Sequence, residues 1–439
     1  MARIVVVGGG YTGVWAARRI ARTARRGTVV TLVSDRPHHS FHGWTAEILT
    51  GHVRAEHARV PLADLLPGVE LVSGQVRHID PDRRTVEVCT SRGTRELVCD
   101  HIVVGAGSRD ASAAVPGLAE HAWSLKDAAG VEALARHLGE VVRQAEMLST
   151  IQPTDAAARR RLLTVVVAGG GFTGVEVATA IAQRLRREAR SSDEPRVVLA
   201  HSGAEALPSL RPRFARLADH ATALAQASGV EFLPYARIAA ATDDGADLGD
   251  AGFISTATVV SAVGQTPVPL AGLEDLARDA SGRLVTDPFL AVAPGVWAGG
   301  DGAAVPHPFT GEACPANALW AIHHGIRIGD NIVRALDGRR PRPFRFPGLG
   351  QGASFGVGRG VAELYGVPLT GWPAWLARWV FFHWFMPSRR VALAAAGEWL
   401  RPRRGGRRAP AGRTHAIGPS FTGSAMPDRP AVRVLDPVG

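Results

Sequence analysis

The sequence predicts an α/β protein of two doubly wound βαβ units followed by an aromatic C-terminal segment. Three observations carry this. Arg-Ile-Val-Val-Val before Gly8 and Thr-Val-Val-Val-Ala before Gly169 are apolar runs of the kind a buried parallel strand makes. Each run enters three glycines, an aromatic residue and Thr-Gly, and then a helical pattern. Of the ten tryptophans in the chain, five lie between Trp372 and Trp399, so the C-terminal part has a composition of its own.

The elements follow in order. Residues 4–7 read as a strand, 15–24 as a helix and 28–33 as a second strand, the alternation of a βαβ unit. Residues 60–110 read as short strands with turns at Pro67-Gly68, Pro81-Asp82 and Arg92-Gly93. A strand at 101–104 runs into Gly105-Ala106-Gly107-Ser108, residues 125–148 are helical by period, and 152–161 read as a linker. The second unit spans 163 to Gly264, with strands at 197–200 and 259–263. Trp297-Ala298-Gly299-Gly300-Asp301 then precedes a helix expected from 315 to 336. The expected division is 1–150 and 276–340 for the first unit, 151–275 for the second, 341–400 for the aromatic segment and 401–439 for a disordered basic tail.

The glycine turns have a chemistry. In Gly8-x-Gly10-x-x-Gly13 the first glycine makes the tight turn, the second lets a diphosphate reach the backbone, and the third lets the helix pack on the sheet. Free N–H groups and the helix dipole then hold the anion. Asp35 ends the second strand, where a carboxylate accepts hydrogen bonds from an adenosine ribose, about 20 residues past the turn. Gly169, Gly171 and Gly174 repeat the arrangement, but the following strand ends in Ala200-His201-Ser202 with no acid. His201 removes the repulsion an acid would exert on a 2′-phosphate and can carry partial positive charge, which leaves NADH and NADPH both open. Two such turns call for one tightly held and one exchanging dinucleotide, and FAD with NADH or NADPH is the common solution. Asp301 sits where a carboxylate would bind the flavin ribityl chain. Gly107 lies in a backbone crossing beside the dinucleotide, and Gly264, Ala316 and Asn317 complete the expected cofactor contacts. The helix starting nearby would aim its positive end at the flavin.

Composition narrows the class. The net charge of +10 is almost wholly arginine, Lys126 being the single lysine; the front of the chain has no basic stripe with interleaved aromatics, and no nucleic-acid partner is expected. Cys89, Cys99 and Cys314 stand far apart, so neither a zinc site, a disulfide network nor a dithiol relay is expected. The first strand begins at Arg3, which predicts no signal peptide and a cytoplasmic location. No uninterrupted apolar run is long enough to span a bilayer.

With these pieces placed, the chain resembles the flavoprotein reductases that bind two dinucleotides, and most closely the type II NADH dehydrogenases, which are non-pumping NADH:quinone oxidoreductases. The likeness rests on GGGYTG, SFHGWTAEILTG from Ser40, DHIVVGAGS from Asp100, VPGLAEHAWSLKDA from Val115, AGGGFTGVEVA from Ala168, GRLVTDPFLAV from Gly282 and WAGGD from Trp297. It implies an FAD domain split by the NAD(P) domain, a C-terminal membrane-docking part, hydride transfer from NAD(P)H to FAD, and two electrons passed on to a quinone such as menaquinone. It also implies a homodimer in many members. Glu176 matches the family's glutamate near the junction of the two cofactors, with a role in positioning or proton supply. The family's glutamine-containing quinone motif reads here Ala318-Leu319-Trp320-Ala321-Ile322-His323, with both glutamines replaced. His323 can hydrogen-bond a quinone oxygen or be a satisfied core histidine. The rival readings are a reductase of an iron–sulfur carrier or a lipophilic metabolite, and a flavin-based redox sensor.

Residues 372–386 are rich in aromatics, seven of fifteen, and interrupted by Arg378 and His383. Trp372, Trp375 or Leu376, Trp379, Phe382 and Met386 recur at helical spacing, and tryptophan with arginine suits a bilayer interface. A helix pair lying in the membrane plane is expected, its second helix at 389–400, docked from the cytoplasmic side.

Overall fold

The computed structural model describes residues 1–152, 154–189 and 195–399; Leu400 and the expected basic tail lie outside them. Strand Arg3–Val7 leads directly into helix α1 (Tyr11–Thr23), which starts at the glycine turn rather than at Trp15. That strand is central in a six-stranded sheet of order Ala291–Ala293, Val296–Ala298, His101–Val104, Arg3–Val7, Val29–Ser34, Glu70–Ser73. Only the edge strand Ala291–Ala293 pairs antiparallel. Ile4, Val5, Val6 and Val7 are buried on both faces, as their unbroken apolar run requires.

Helix α2 (Ala128–Ile151) follows the first unit's strands, with the Asp127 side chain accepting from the Gly130 N–H at its start. The expected linker after it contains a further helix, Ala156–Leu163, started by Asp155, whose carboxylate accepts from the Ala158 N–H at 2.9 Å. Capping by a short polar side chain gives this segment its structure despite a weak apolar pattern. Helix α3 (Phe172–Glu188) opens the second unit. The second sheet is wholly parallel, in the order Ala122–Ser124, Thr258–Ser261, Thr164–Ala168, Arg196–Ala200, Val230–Leu233. It thus takes Ala122–Ser124 from chain that precedes residue 151. The strand Val296–Ala298 returns to the first sheet after the second is complete, so the first unit is split by the second.

Helix α4 (Ala318–Leu336) crosses α1 at close range. A Cβ on Gly325 would lie 2.4 Å from the Thr12 carbonyl, and one on Gly329 would lie 2.7 Å from Arg19 Cβ. The region expected to hold only docking helices first forms an antiparallel sheet of Gly350–Ser354, Gly360–Leu364 and Val367–Thr370. Its glycine-rich strands carry little apolar alternation. They pack directly on helix α5 (Gly371–Phe385), where a Cβ on Gly360 would be 2.6 Å from the Trp375 nitrogen. Helix α6 (Arg389–Trp399) closes the described chain.

The outward face of α5 agrees with the expected stripe at Trp372 and Leu376 and departs from it beyond them. Trp372, Leu376, Val380 and Trp384 are 62, 50, 49 and 64% exposed. Met386 is buried, and the Phe382 ring covers Gly43, its Cδ1 lying 2.3 Å from where a Cβ would be. Arg378, expected as a polar interruption, is buried and paired with Glu47 and Glu176.

Candidate functional site

The two glycine turns have the same construction. Gly8 has φ +102° and Gly169 φ +125°; a Cβ would meet the Gly105 carbonyl at 2.4 Å and the Ala262 carbonyl at 2.1 Å. Gly13 and Gly174 are closed in the same manner, by the carbonyls of Gly8 and Gly169 at 1.9 and 1.8 Å. The middle glycines are open: Gly10 has its nearest atom at 4.0 Å and Gly171 has none within 4 Å. No side chain caps α1 or α3, so the N–H groups of their first turns face that open space. The residues present fit a dinucleotide diphosphate at both turns.

Register corrects the reading of the ribose-binding position. The Gly8 N–H donates to the Val33 carbonyl and the Gly169 N–H to the Ala200 carbonyl, both at 2.8 Å. His201 is therefore in register with Ser34, and Ser202 with the exposed Asp35. His201 packs beneath Gly170 and is 6% exposed; burial pushes its pKa below the ordinary histidine value, which works against the partial positive charge expected there.

The expected contacts around Asp301 converge. Asp301 Oδ2 accepts from Ser108 Oγ at 2.9 Å, and Lys126 Nζ donates to Ser108 Oγ at 2.9 Å and to Gln265 Oε1. Gln265 Nε2 donates to the Ala316 carbonyl at 3.2 Å. Asn317 Oδ1 accepts from the Trp320 N–H and so caps α4. Gly107 and Gly264 act through their carbonyls, which accept from the Val268 and Ala111 N–H groups and hold the crossing loops. Tyr11 and His42 line the same cleft: the Tyr11 hydroxyl accepts from the His42 N–H at 3.1 Å, and His42 Nε2 lies 2.9 Å from the Lys126 carbonyl. Burial lowers the Lys126 pKa.

Sequence reasoning missed Lys126 as a site residue, although its being the single lysine was a signal. It also missed two buried histidines behind the first turn. His39 Nδ1 lies 3.1 Å from the Gly9 carbonyl, and burial pushes its pKa down to about 4. His324 Nδ1 accepts from the Gly300 N–H at 3.1 Å, and burial pushes its pKa down to about 3.

Glu176 and His323 are not part of the Asp301 cluster's hydrogen bonds; each meets the C-terminal segment instead. Glu176 Oε1 accepts from the Ser354 N–H at 2.6 Å and pairs with Arg378 Nε at 3.0 Å. Arg378 also donates to Glu47 Oε1 at 2.6 Å, so one buried guanidinium serves two carboxylates. Burial raises the Glu176 pKa against the opposing pull of Arg378. His323 stacks on Phe346 with centroids 3.7 Å apart and planes at 12°, and its partial burial lowers its pKa. Its ring also lies 6.4 Å from that of Phe385 on α5, and Leu319 is buried.

The profile of one family, pyridine nucleotide-disulphide oxidoreductase, matches residues 2–325, which include both turns and the Asp301 cluster. The chain belongs to this family. A relative, an NADH dehydrogenase-like protein of Mycobacterium tuberculosis, is 34% identical over 321 residues, 69% of this chain and 73% of its own. A type II NADH:quinone oxidoreductase of Staphylococcus aureus is 25% identical over 84% of this chain and 91% of its own. Among solved structures, NDH2 of Plasmodium falciparum in complex with NADH superposes with a TM-score of 0.79 at 13% identity, covering 91% of this chain and 97% of that one, a likeness of fold. This pyridine nucleotide oxidoreductase is a flavoprotein enzyme, with FAD and NADH or NADPH as cofactors. It has no thiol pair: its three cysteines are free, and burial pushes Cys99 and Cys314 up to about 11 and about 12.

Proposed function

We propose that the protein oxidises NAD(P)H and delivers two electrons to a quinone of the menaquinone kind, docked on the cytoplasmic face of a membrane through α5. The observation that carries this is the two-sidedness of α5. Its outer face presents Trp372, Leu376, Val380 and Trp384, while Arg378 on its inner face holds Glu176. An apolar acceptor leaving a bilayer would thus reach the protein along the helix that touches the residue expected near the cofactor junction. Tryptophan at the two ends of an exposed apolar stripe suits a membrane interface. Arg389, stacked over Trp384 with 4.7 Å to the ring centroid, adds a cation at its edge. Among the described residues no helix is long and apolar enough to cross the membrane.

Bound FAD supplies the two-electron chemistry between nicotinamide and acceptor. The chain's own work is placement: the turn at Gly8–Gly13 holds one diphosphate, the turn at Gly169–Gly174 the other, and Asp301 with Ser108 and Lys126 fixes the first dinucleotide's polar chain. Glu176, whose raised pKa brings it nearer neutrality, and His323, an imidazole beside α5, are the groups that would hold or pass protons for the acceptor. Rapid-mixing reduction by NADH followed by a menaquinone analogue tests the reading. Fast reduction and fast reoxidation are expected. Fast reduction with slow reoxidation would mean that Leu319 and His323, standing for the family's glutamines, have changed the acceptor.

A further inference from the structure

The second cradle differs from the first where an adenosine ribose would lie. Ser202, in register with Asp35, is exposed and uncharged, and the residue before it, His201, is turned inward beneath Gly170. The only carboxylate in the loop that follows, Glu205, is occupied by Arg211 at 3.3 Å, which in turn binds Asp219 at 2.6 Å. The neighbouring chain segment is tied to this loop by its backbone. The Ala236 N–H donates to the His201 carbonyl at 2.9 Å and the Tyr235 N–H to the Gly203 carbonyl at 3.1 Å. This segment alternates: Ala236 and Ile238 are buried, so Arg237 between them is exposed. Among the described residues Arg237 forms no ion pair, whereas in the facing loop Arg211 is spent on acids and Arg213 lies over the Phe214 ring. Tyr235 is 74% exposed, with φ +57°, and offers an aromatic face beside it.

We propose that Arg237, with Ser202 in the acid's place, makes the second cradle a site for a 2′-phosphorylated adenosine ribose, so that the enzyme prefers NADPH to NADH. The inference rests on the reading that the Gly169 turn holds the nicotinamide dinucleotide. A carboxylate at the strand end would bind a 2′-hydroxyl and repel a 2′-phosphate. Here no carboxylate stands at the strand end, and a guanidinium fits a phosphate bidentately through its planar fork. The flat Tyr235 ring can stack on the adenine, which every base permits through its π-face.

The test is calorimetric binding of NADP⁺ and NAD⁺, which do not reduce the flavin, to the full-length FAD-loaded protein. NADP⁺ should bind about tenfold more tightly, the size of one hydrogen bond to a charged group. Arg237→Ala should bring the two to near parity by weakening NADP⁺ alone, and Arg237→Lys should restore part of the difference. Ser202→Asp should reverse the preference. Equal binding by the unaltered protein, or a preference that survives Arg237→Ala, would overturn the proposal and leave the nucleotide site standing. Binding of neither, with flavin content normal, would overturn the assignment of the Gly169 turn as well.

Discussion

His39 and His324 show how single side chains support a cradle they do not line. Each is buried and neutral, and each holds a backbone group of the first dinucleotide turn or its neighbour, Gly9 or Gly300. Their folded pKa values, about 4 and about 3, lie below the ordinary 6.5, so both contribute stability above pH 6.5 that is lost as the pH falls towards those values. For His39 alone the linkage is about 3 kcal/mol. Acidification from pH 6.5 to 4 should therefore release flavin, followed by its rise in fluorescence, and His39→Gln should flatten that profile. Glu176 has the opposite sign. Its folded pKa is raised above the ordinary glutamate value by burial, so its ionisation costs stability as the pH rises. Glu176→Gln should raise the melting temperature at pH 7, with the gain vanishing towards pH 4, since Arg378 keeps Glu47 as its partner. Arg378→Met leaves two buried carboxylates with no cation and should cost about 3–5 kcal/mol. A melting curve unchanged by it would mean that these groups are solvated after all.

Among the elements, the pair α1 and α4 owes its close crossing to Gly325 and Gly329, positions a sequence pattern leaves unmarked because a helical glycine looks like a weakness. A Cβ on Gly325 meets backbone, the Thr12 carbonyl, which cannot swing aside as a side chain would. Gly325→Ala should cost about 1–3 kcal/mol by overpacking and lower flavin retention on gel filtration, because α1 carries the first turn. Helix α5 shows why its orientation was not legible. A helix apolar on every side has no period from which to pick a face, so the expected stripe, which starts at Trp372 and Trp375 or Leu376 and continues through Trp379, Phe382 and Met386, competed equally with the observed one, and the two part after Leu376. The choice falls to Arg378 and to the notch at Gly43 that takes Phe382, and both depend on residues more than 300 positions away. Trp372→Glu with Trp384→Glu should weaken sedimentation with anionic vesicles by tenfold or more, the change expected when two interfacial tryptophans become charges. The rate of flavin reduction by NADH should stay the same. Undiminished sedimentation would remove α5 from the membrane.

At the scale of the whole molecule, the local motifs were legible and the long-range pairings were not. Both glycine turns and their strands could be read because each is specified within a few residues of itself, whereas Asn317, expected as a cofactor contact, is the cap of α4. The strand Ala122–Ser124, the helix at Ala156–Leu163, the register that makes Ser202 the counterpart of Asp35 in the other unit, and the triad of Glu47, Arg378 and Glu176 depend on chain that is distant or on caps too short for a period to show. The triad also tells what the C-terminal segment is for structurally. Its helices are fastened by Arg378 to both carboxylates, by Glu398 to the Arg54 N–H at 2.9 Å and to His57 at 3.0 Å, and by Arg18 to the Pro387 carbonyl at 3.2 Å. It covers Phe41 and Trp44, which are 3 and 1% exposed. A chain ending at Thr370 would uncover those rings and leave Glu47 and Glu176 without their cation, so it should melt well below the full protein and aggregate. Charge and packing can be told apart in that shortened chain. Adding Glu47→Gln and Glu176→Gln removes the stranded charges but not the uncovered rings, so recovery of part of the lost melting temperature measures the charge contribution. A shortened chain as stable as the full one would show instead that α5 and α6 are an appended anchor and that the two dinucleotide units complete their core without them.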